Sequence, residues 1–204
     1  MVMKKASVFM ADGMEETECL TIVDLLRRGG VAVTTFSVMP DKTVTGSHGV
    51  RIEADALFDA DAAADAELLF LPGGGDGVKH LYAHQDLCRL LVNFPAESKG
   101  AESKYLGAVC AGPSVLGRLG LLKGKRATCY PGFEEQLLGA VCTGEGITVD
   151  GAVVTGIGLG FCVDLGLTLV ALLCGREKSD AVKRQIQHQV RRSEERRVGK
   201  ECRS

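Results

Sequence analysis

Short runs of β-branched and apolar residues alternate along this chain with segments of helical period. That alternation constrains the fold most, because strands separated by helical crossovers pair in parallel and need helices on both faces of their sheet. Ala6–Met10 reads as a first strand, and Asp12-Gly13 then turns the chain into a helix from about Met14 to Arg28. Gly29-Gly30 closes that helix, as C-terminal glycines do. Val31–Val38 follows as a strand, and Thr43–Thr45 and Val50–Glu53 flank Gly46-Ser47-His48-Gly49 as a small hairpin. Leu68–Leu71 is a strand ending in Pro72-Gly73-Gly74-Gly75, with a helix over Gln85–Asn93 beyond it. Tyr105–Val109 runs straight into Cys110-Ala111-Gly112-Pro113 and a helix. Arg126–Cys129, Ile147–Val149 and Ala152–Thr155 are short late strands, and Phe161–Leu173 and Lys178–Val190 are helices. The expected architecture is α/β: a flavodoxin-like, doubly wound parallel sheet between helices.

A chain of 204 residues, 46 % of them apolar, suits one domain, taken here as residues 1–191. The remainder, Arg192 to Ser204, reads RSEERRVGKECRS, lacks a hydrophobic period and resembles the translation of a common sequencing adapter. It is set aside from fold reasoning. The net charge is −2, and no basic stripe is interleaved with the three Tyr and seven Phe, which argues against nucleic acid as partner. The apolar run after Lys4 and Lys5 stops at Asp12, too soon for a secretory core, and Leu165–Cys174 covers about half a membrane span. A cytoplasmic protein with no membrane association is expected. Its eight cysteines are scattered without CxxC or Cys/His spacing, so reduced thiols are expected, with no metal and no cofactor.

In doubly wound sheets ligands bind beyond the carboxyl ends of the strands. Asp12-Gly13, the Pro72–Gly75 loop and Cys110 all fall there. Cys110 stands at a strand-to-helix turn, like the residue of a nucleophile elbow, where backbone N–H groups can lower a thiol pKa. Glu15, Glu16 and Glu18 open the first helix, where acids suit the helix dipole. Glu18 lies on the stripe of Ile22 and Leu25, and Glu15 nearly shares it through Cys19 and Ile22, so periodicity leaves both open as the buried carboxyl. A carboxyl beside the thiol would have its pKa raised and donate a proton to the sulfur. The glycine loop suits an oxyanion site, with backbone N–H groups of Gly74 and Ala111 as donors. Among the histidines, His48 in the hairpin is the candidate for the site, while His80, His84 and His188 read as solvent-facing.

The segments ADGMEETE, VDLLRRGG, LPGGGDG, AVCAGPSVLG and ATCYPGFE occur in that order. Together they resemble the ThiJ/PfpI superfamily, in particular the branch of the Parkinsonism-associated deglycase, over about Lys4 to Val190. The resemblance implies that Cys110 is the nucleophile, Glu18 its carboxyl partner, Gly74 and Ala111 the backbone donors, and Gly73 the residue that shapes the loop. His48, Glu15 and Tyr130 remain pocket candidates. His48 replaces an arginine of the branch's deglycase, Tyr130 replaces a histidine of some members, and Ile157 replaces an arginine of the late glycine-rich loop. Ala111 stands where peptidase-like members place a histidine, which disfavours proteolysis. The resemblance further implies a homodimer, with the site near its interface, and a cofactor-independent cysteine enzyme for reactive aldehydes or glycated substrates, of glyoxalase or deglycase type. The alternative is a redox-responsive protective protein whose Cys110 is oxidised to sulfinic acid.

Overall fold

The computed structural model describes residues 3–188. The adapter-like segment and the last two residues assigned to the final helix lie outside the described residues. Strands β1 (Lys5–Met10) and β2 (Ala32–Ser37) are joined by helix α1 (Glu16–Arg28). A hairpin of β3 (Thr43–Thr45) and β4 (Arg51–Glu53) follows, then β5 (Ala56–Leu57), α2 (Ala60–Ala64) and β6 (Leu68–Leu71). Helices α3 (Gly75–Ala83) and α4 (Gln85–Asn93) lead to β7 (Tyr105–Val109) and α5 (Pro113–Arg118). The chain ends through β8 (Arg126–Ala127), β9 (Val141–Cys142), β10 (Ile147–Asp150), β11 (Val153–Gly156), α6 (Cys162–Cys174) and α7 (Arg176–Gln185).

Seven strands form the main sheet in the order β10-β11-β7-β6-β1-β2-β5, parallel except for the edge strand β10. This is the flavodoxin-like α/β arrangement. Successive side chains of the central strands enter opposite cores, as a pleated strand dictates. Val8, Met10, Leu68, Phe70 and Val109 pack with Ile22 and Leu26 of α1 and with Leu165 and Leu169 of α6. Phe9, Leu69, Leu71, Leu106 and Ala108 pack beneath α2, α3, α4 and α5 on the other face. Both faces are covered, which is why these strands read as near-continuous apolar runs.

Several elements differ from expectation. Helix α3 grows directly out of the glycine loop, with Gly74 as its N-cap at φ 94°. The glycines that read as a loop suited to an oxyanion site also make a sharp left-handed helix entry at Gly74. Helix α2 shows no hydrophobic period in the sequence because its apolar content is only alanine; Asp59 caps it by accepting the Ala62 N–H at 2.9 Å. The first helix begins at Glu16 because Glu15 is its cap. His84 is also a cap, its Nδ1 accepting the Leu87 N–H at 3.2 Å, with its ring against Phe58. His188 bonds Asp164 at 2.9 Å rather than facing solvent alone.

The order in which strands are added reverses at β1, which has β2 on one side and β6 on the other. The crevice beyond the ends of β1, β6 and β7 is therefore the topological switch point, and the unusual segments meet there.

Candidate active site

Cys110 follows the last residue of β7 and adopts φ +60°, a rare conformation for a residue with a side chain. Backbone bonds hold it there. Its N–H donates to Gly156 O at 2.9 Å, and its carbonyl accepts the Tyr130 N–H at 2.8 Å. Pro113 then starts α5 at a position where its missing N–H costs nothing.

Glu18, in the first turn of α1, points inward and is 1 % exposed. Its Oε2 accepts the Gly73 N–H at 3.1 Å. Gly73 is the point where acid and thiol converge. A Cβ there would strike Glu18 Oε2 and stand 2.6 Å from Cys110 Cβ and 3.0 Å from its Sγ. Glycine is thus required by close approach rather than by backbone angle. Gly74, one residue on, and Ala111 both bring their backbone amides to the sulfur. The structure therefore assembles Cys110, Glu18, Gly73, Gly74 and Ala111 in one crevice, and it chooses Glu18 over Glu15 as the buried carboxyl.

Burial pushes the Glu18 carboxyl up to about 7, and the charge of Glu15 adds to that rise. Hydrogen bonds from Cys110 and from the Gly73 and Leu159 amides work the other way. Burial likewise pushes the Cys110 thiol up to about 12, reinforced by the charge and the hydrogen bond of Glu18. The Ala111 and Gly74 amides offset part of this rise. A lowered thiol pKa, expected from a strand-to-helix turn, is not what this environment gives. Helix α5 has only six residues and begins three positions after Cys110, whereas a carboxyl sits against the sulfur itself. Thiol and carboxyl are both raised and hydrogen-bonded to each other, so they titrate as one pair, within reach of proton transfer.

Glu15 caps α1, its Oε2 accepting the Glu18 N–H at 2.5 Å. Glu16 was read only as a dipole-favouring acid, yet it is buried and fastens the hairpin loop to the helix. Its carboxylate accepts the His48 N–H at 3.0 Å, the Ser47 hydroxyl at 3.1 Å and His48 Nδ1 at 3.3 Å. Burial alone would raise its pKa; its own amide, the His48 ring, Ser47 and the His48 amide together bring it down to about 2. No local spacing announces this link, since its partners lie 31 and 32 residues away. The His48 side chain is 73 % exposed and turns to Glu16 and Glu15 rather than to the thiol. Glu15, Glu16 and His48 bring ligand atoms within 4.8 Å of one another, the grouping among the described residues able to hold a cation, although each already has a hydrogen-bond partner. Tyr130 stands at the rim, its ring 3.6 Å from the point where a Gly158 Cβ would lie.

Cys19, Cys129 and Cys162 are buried free thiols, as expected of cysteine acting as a small apolar residue. No helix of the described residues is long and apolar enough to cross a membrane.

A family model described as the DJ-1/PfpI family matches residues 4–172. The Arabidopsis thaliana protein DJ-1 homolog B is 34 % identical over 178 residues, covering 86 % of this chain and 40 % of its own length. The chain thus spans about two fifths of that relative. An isonitrile hydratase of Pseudomonas putida is 31 % identical over 147 residues, covering 71 % of this chain and 61 % of its own. Among solved structures, an oxidised DJ-1 of Toxoplasma gondii superposes with a TM-score of 0.83 at 29 % identity, covering 92 % of this chain and all of that one. With that family model matched over most of the chain and relatives above 30 % identity beside it, the chain belongs to the DJ-1/PfpI family.

Proposed function

We propose that this chain is a cofactor-independent cysteine enzyme acting on small reactive aldehydes, of glutathione-independent glyoxalase or protein deglycase type. Family membership supports a role in stress protection or cysteine-based catalysis, and one relative bears the name of an enzyme, isonitrile hydratase. The observation that carries the finer reading is the Glu18–Cys110 pair around Gly73, with its carboxyl raised to about 7. A base with that pKa suits proton transfer at neutral pH.

On methylglyoxal the sequence of steps is as follows. Glu18 carboxylate takes the thiol proton while sulfur adds to the aldehyde carbon, and the Gly74 and Ala111 amides hold the resulting oxyanion. Returning that proton to the oxygen gives a hemithioacetal. Glu18 then removes the hydrogen of the former aldehyde carbon, leaving an ene-diol, and reprotonation of the adjacent carbon yields a thioester. Water cleaves the thioester to lactate and restores the thiol. Early glycation adducts would yield to the same covalent step. Tyr130 in place of a histidine leaves Glu18 as the proton carrier. We read the protein as a cytoplasmic homodimer, with its site near the dimer interface and no nucleic-acid partner.

The test is conversion of methylglyoxal to lactate without glutathione. Wild type is expected to turn over and Cys110→Ala to be inactive; turnover that survives in Cys110→Ala overturns the proposal. The second reading, oxidation of Cys110 to sulfinic acid, draws on the oxidised state named for the Toxoplasma relative. Peroxide titration with intact-mass detection separates the two: a selective two-oxygen adduct on Cys110 supports the redox reading, and its absence discards it.

A further inference from the structure

Resting on the aldehyde chemistry proposed above, we infer that the mouth of this site admits uncharged, apolar carbonyl electrophiles to Cys110 and disfavours anionic ones. Two large apolar residues stand exposed beside the pair, Tyr130 at 52 % and Leu159 at 48 %. Singly such exposure is ordinary, but two flanking one reactive pair mark a binding surface. Their connection to the reacting groups is direct. The Tyr130 N–H donates to the Cys110 carbonyl at 2.8 Å. Its ring lies 3.6 Å from the Cβ position of Gly158, a point itself 4.0 Å from Glu18 Oε1. Leu159 follows Gly158 in the chain, and the Phe161 N–H closes that turn on Gly158 O at 3.0 Å.

The charges nearest the pair are of one sign. Glu15 acts on Glu18, and Glu18 acts on Cys110. The nearby imidazole, His48, is turned onto Glu16 and Glu15. An anionic substituent entering here meets carboxylate charge in a partly desolvated crevice, where repulsion exceeds its value in water. An alkyl substituent instead covers the Tyr130 ring and Leu159, and each methylene so buried strengthens binding.

Two measurements test the inference. In turnover, 2-oxohexanal is expected to exceed methylglyoxal in kcat/KM by about tenfold, and the similarly sized anion 4,5-dioxopentanoate to fall below methylglyoxal. Independently of turnover, alkylation of Cys110 by N-butylmaleimide and by N-(2-carboxyethyl)maleimide is followed on the Cys110 peptide by mass spectrometry. Normalised to the same pair of reagents on a small free thiol, the neutral reagent is expected to win by about tenfold. Tyr130→Ala and Leu159→Ser are expected to narrow both ratios, and Leu159→Arg to raise the rate of the anionic reagent. A normalised maleimide ratio of one, or equal turnover of 2-oxohexanal and 4,5-dioxopentanoate, overturns the inference. If wild type turns over none of the aldehydes yet keeps the maleimide preference, the lyase reading falls while the preference of the mouth stands.

Discussion

Glu16 and Glu18 stand two residues apart in the first turn of one helix, and both are buried, yet their acidities move in opposite directions. Glu16 is brought down to about 2 and Glu18 is pushed up to about 7. Burial opposes charge at both positions, but Glu18 lies deeper and burial carries most of its rise. Donors overcome burial only at Glu16. Glu16 collects an amide, a hydroxyl and an imidazole from the hairpin loop. Glu18 lies deeper and faces the charge of Glu15, and the thiol with the Gly73 and Leu159 amides does not offset them. A carboxylate surrounded by donors is a structural anchor, whereas one whose donors do not offset its burial, beside a nucleophile, is a proton carrier.

The sharpest way to break that comparison is to neutralise each acid in turn. Glu18→Gln is expected to lower kcat/KM for methylglyoxal by about 10²–10⁴-fold, the range of a lost general base, while the protein stays folded by circular dichroism. Glu16→Gln keeps Glu18 and Cys110 in place and is expected to lose far less. Equal losses in the two variants would mean that Glu18 merely supports the site. Gly73→Ala comes next: its methyl group must displace the Glu18 carboxyl or the thiol, and a loss of about 10²-fold is expected, the effect of a misplacement near 1 Å. Wild-type activity in that variant would show that the pair does not react through this contact.

The pH dependence of stability separates the two acids by sign. The Glu18 pKa is higher folded than unfolded, so its contribution is fully present below the unfolded value near 4.5 and is lost as pH rises from there to about 7. The Glu16 pKa is lower folded, so its contribution is present above 4.5 and is lost as pH falls towards about 2. Thermal melts across pH should show Glu18→Gln abolishing a decline between pH 4.5 and 7, and Glu16→Gln abolishing a rise between pH 2 and 4.5. Glu16→Ala, which frees the hairpin donors as well, should cost about 1–3 kcal/mol near neutrality. Activity should rise through pH 7 as Glu18 ionises; a rate that is flat there would contradict its role as base.

What was legible in the sequence follows the same division. Leu68–Leu71 and Tyr105–Val109 were read with their observed bounds, because a strand buried on both faces is apolar without interruption. Cys110 and the glycine loop were legible because strand ends in this topology converge, whatever their distance in sequence. Periodicity alone could not choose between Glu15 and Glu18; in the structure one caps the helix and the other faces the thiol. Helix α2 and the Glu16 anchor leave no mark in the sequence, and two further features show why legibility fails. Helix α3 hid behind glycines, which locally favour a loop and are overruled by the entry geometry at Gly74. The thiol is raised first by burial and then by Glu18, which is remote in the chain, and neither is visible in the local turn.

The smallest expected effect belongs to His48, and it sharpens the contrast between anchor and carrier. Its ring is mostly exposed and contacts Glu16 from solvent, but its backbone N–H, which a substitution leaves in place, makes the shorter bond to the same carboxylate. Ser47 is likewise untouched. His48→Ala should therefore cost no more than about 0.5 kcal/mol, the scale of an exposed ion pair. The pH midpoint of activity set by Glu18 should stay where it is, because His48 reaches Glu18 only by way of Glu15. Melting temperature and the pH–rate profile of the variant check both statements. A shifted midpoint would mean that the hairpin tunes the proton carrier through Glu15, and that anchor and carrier form one coupled network rather than two neighbouring devices.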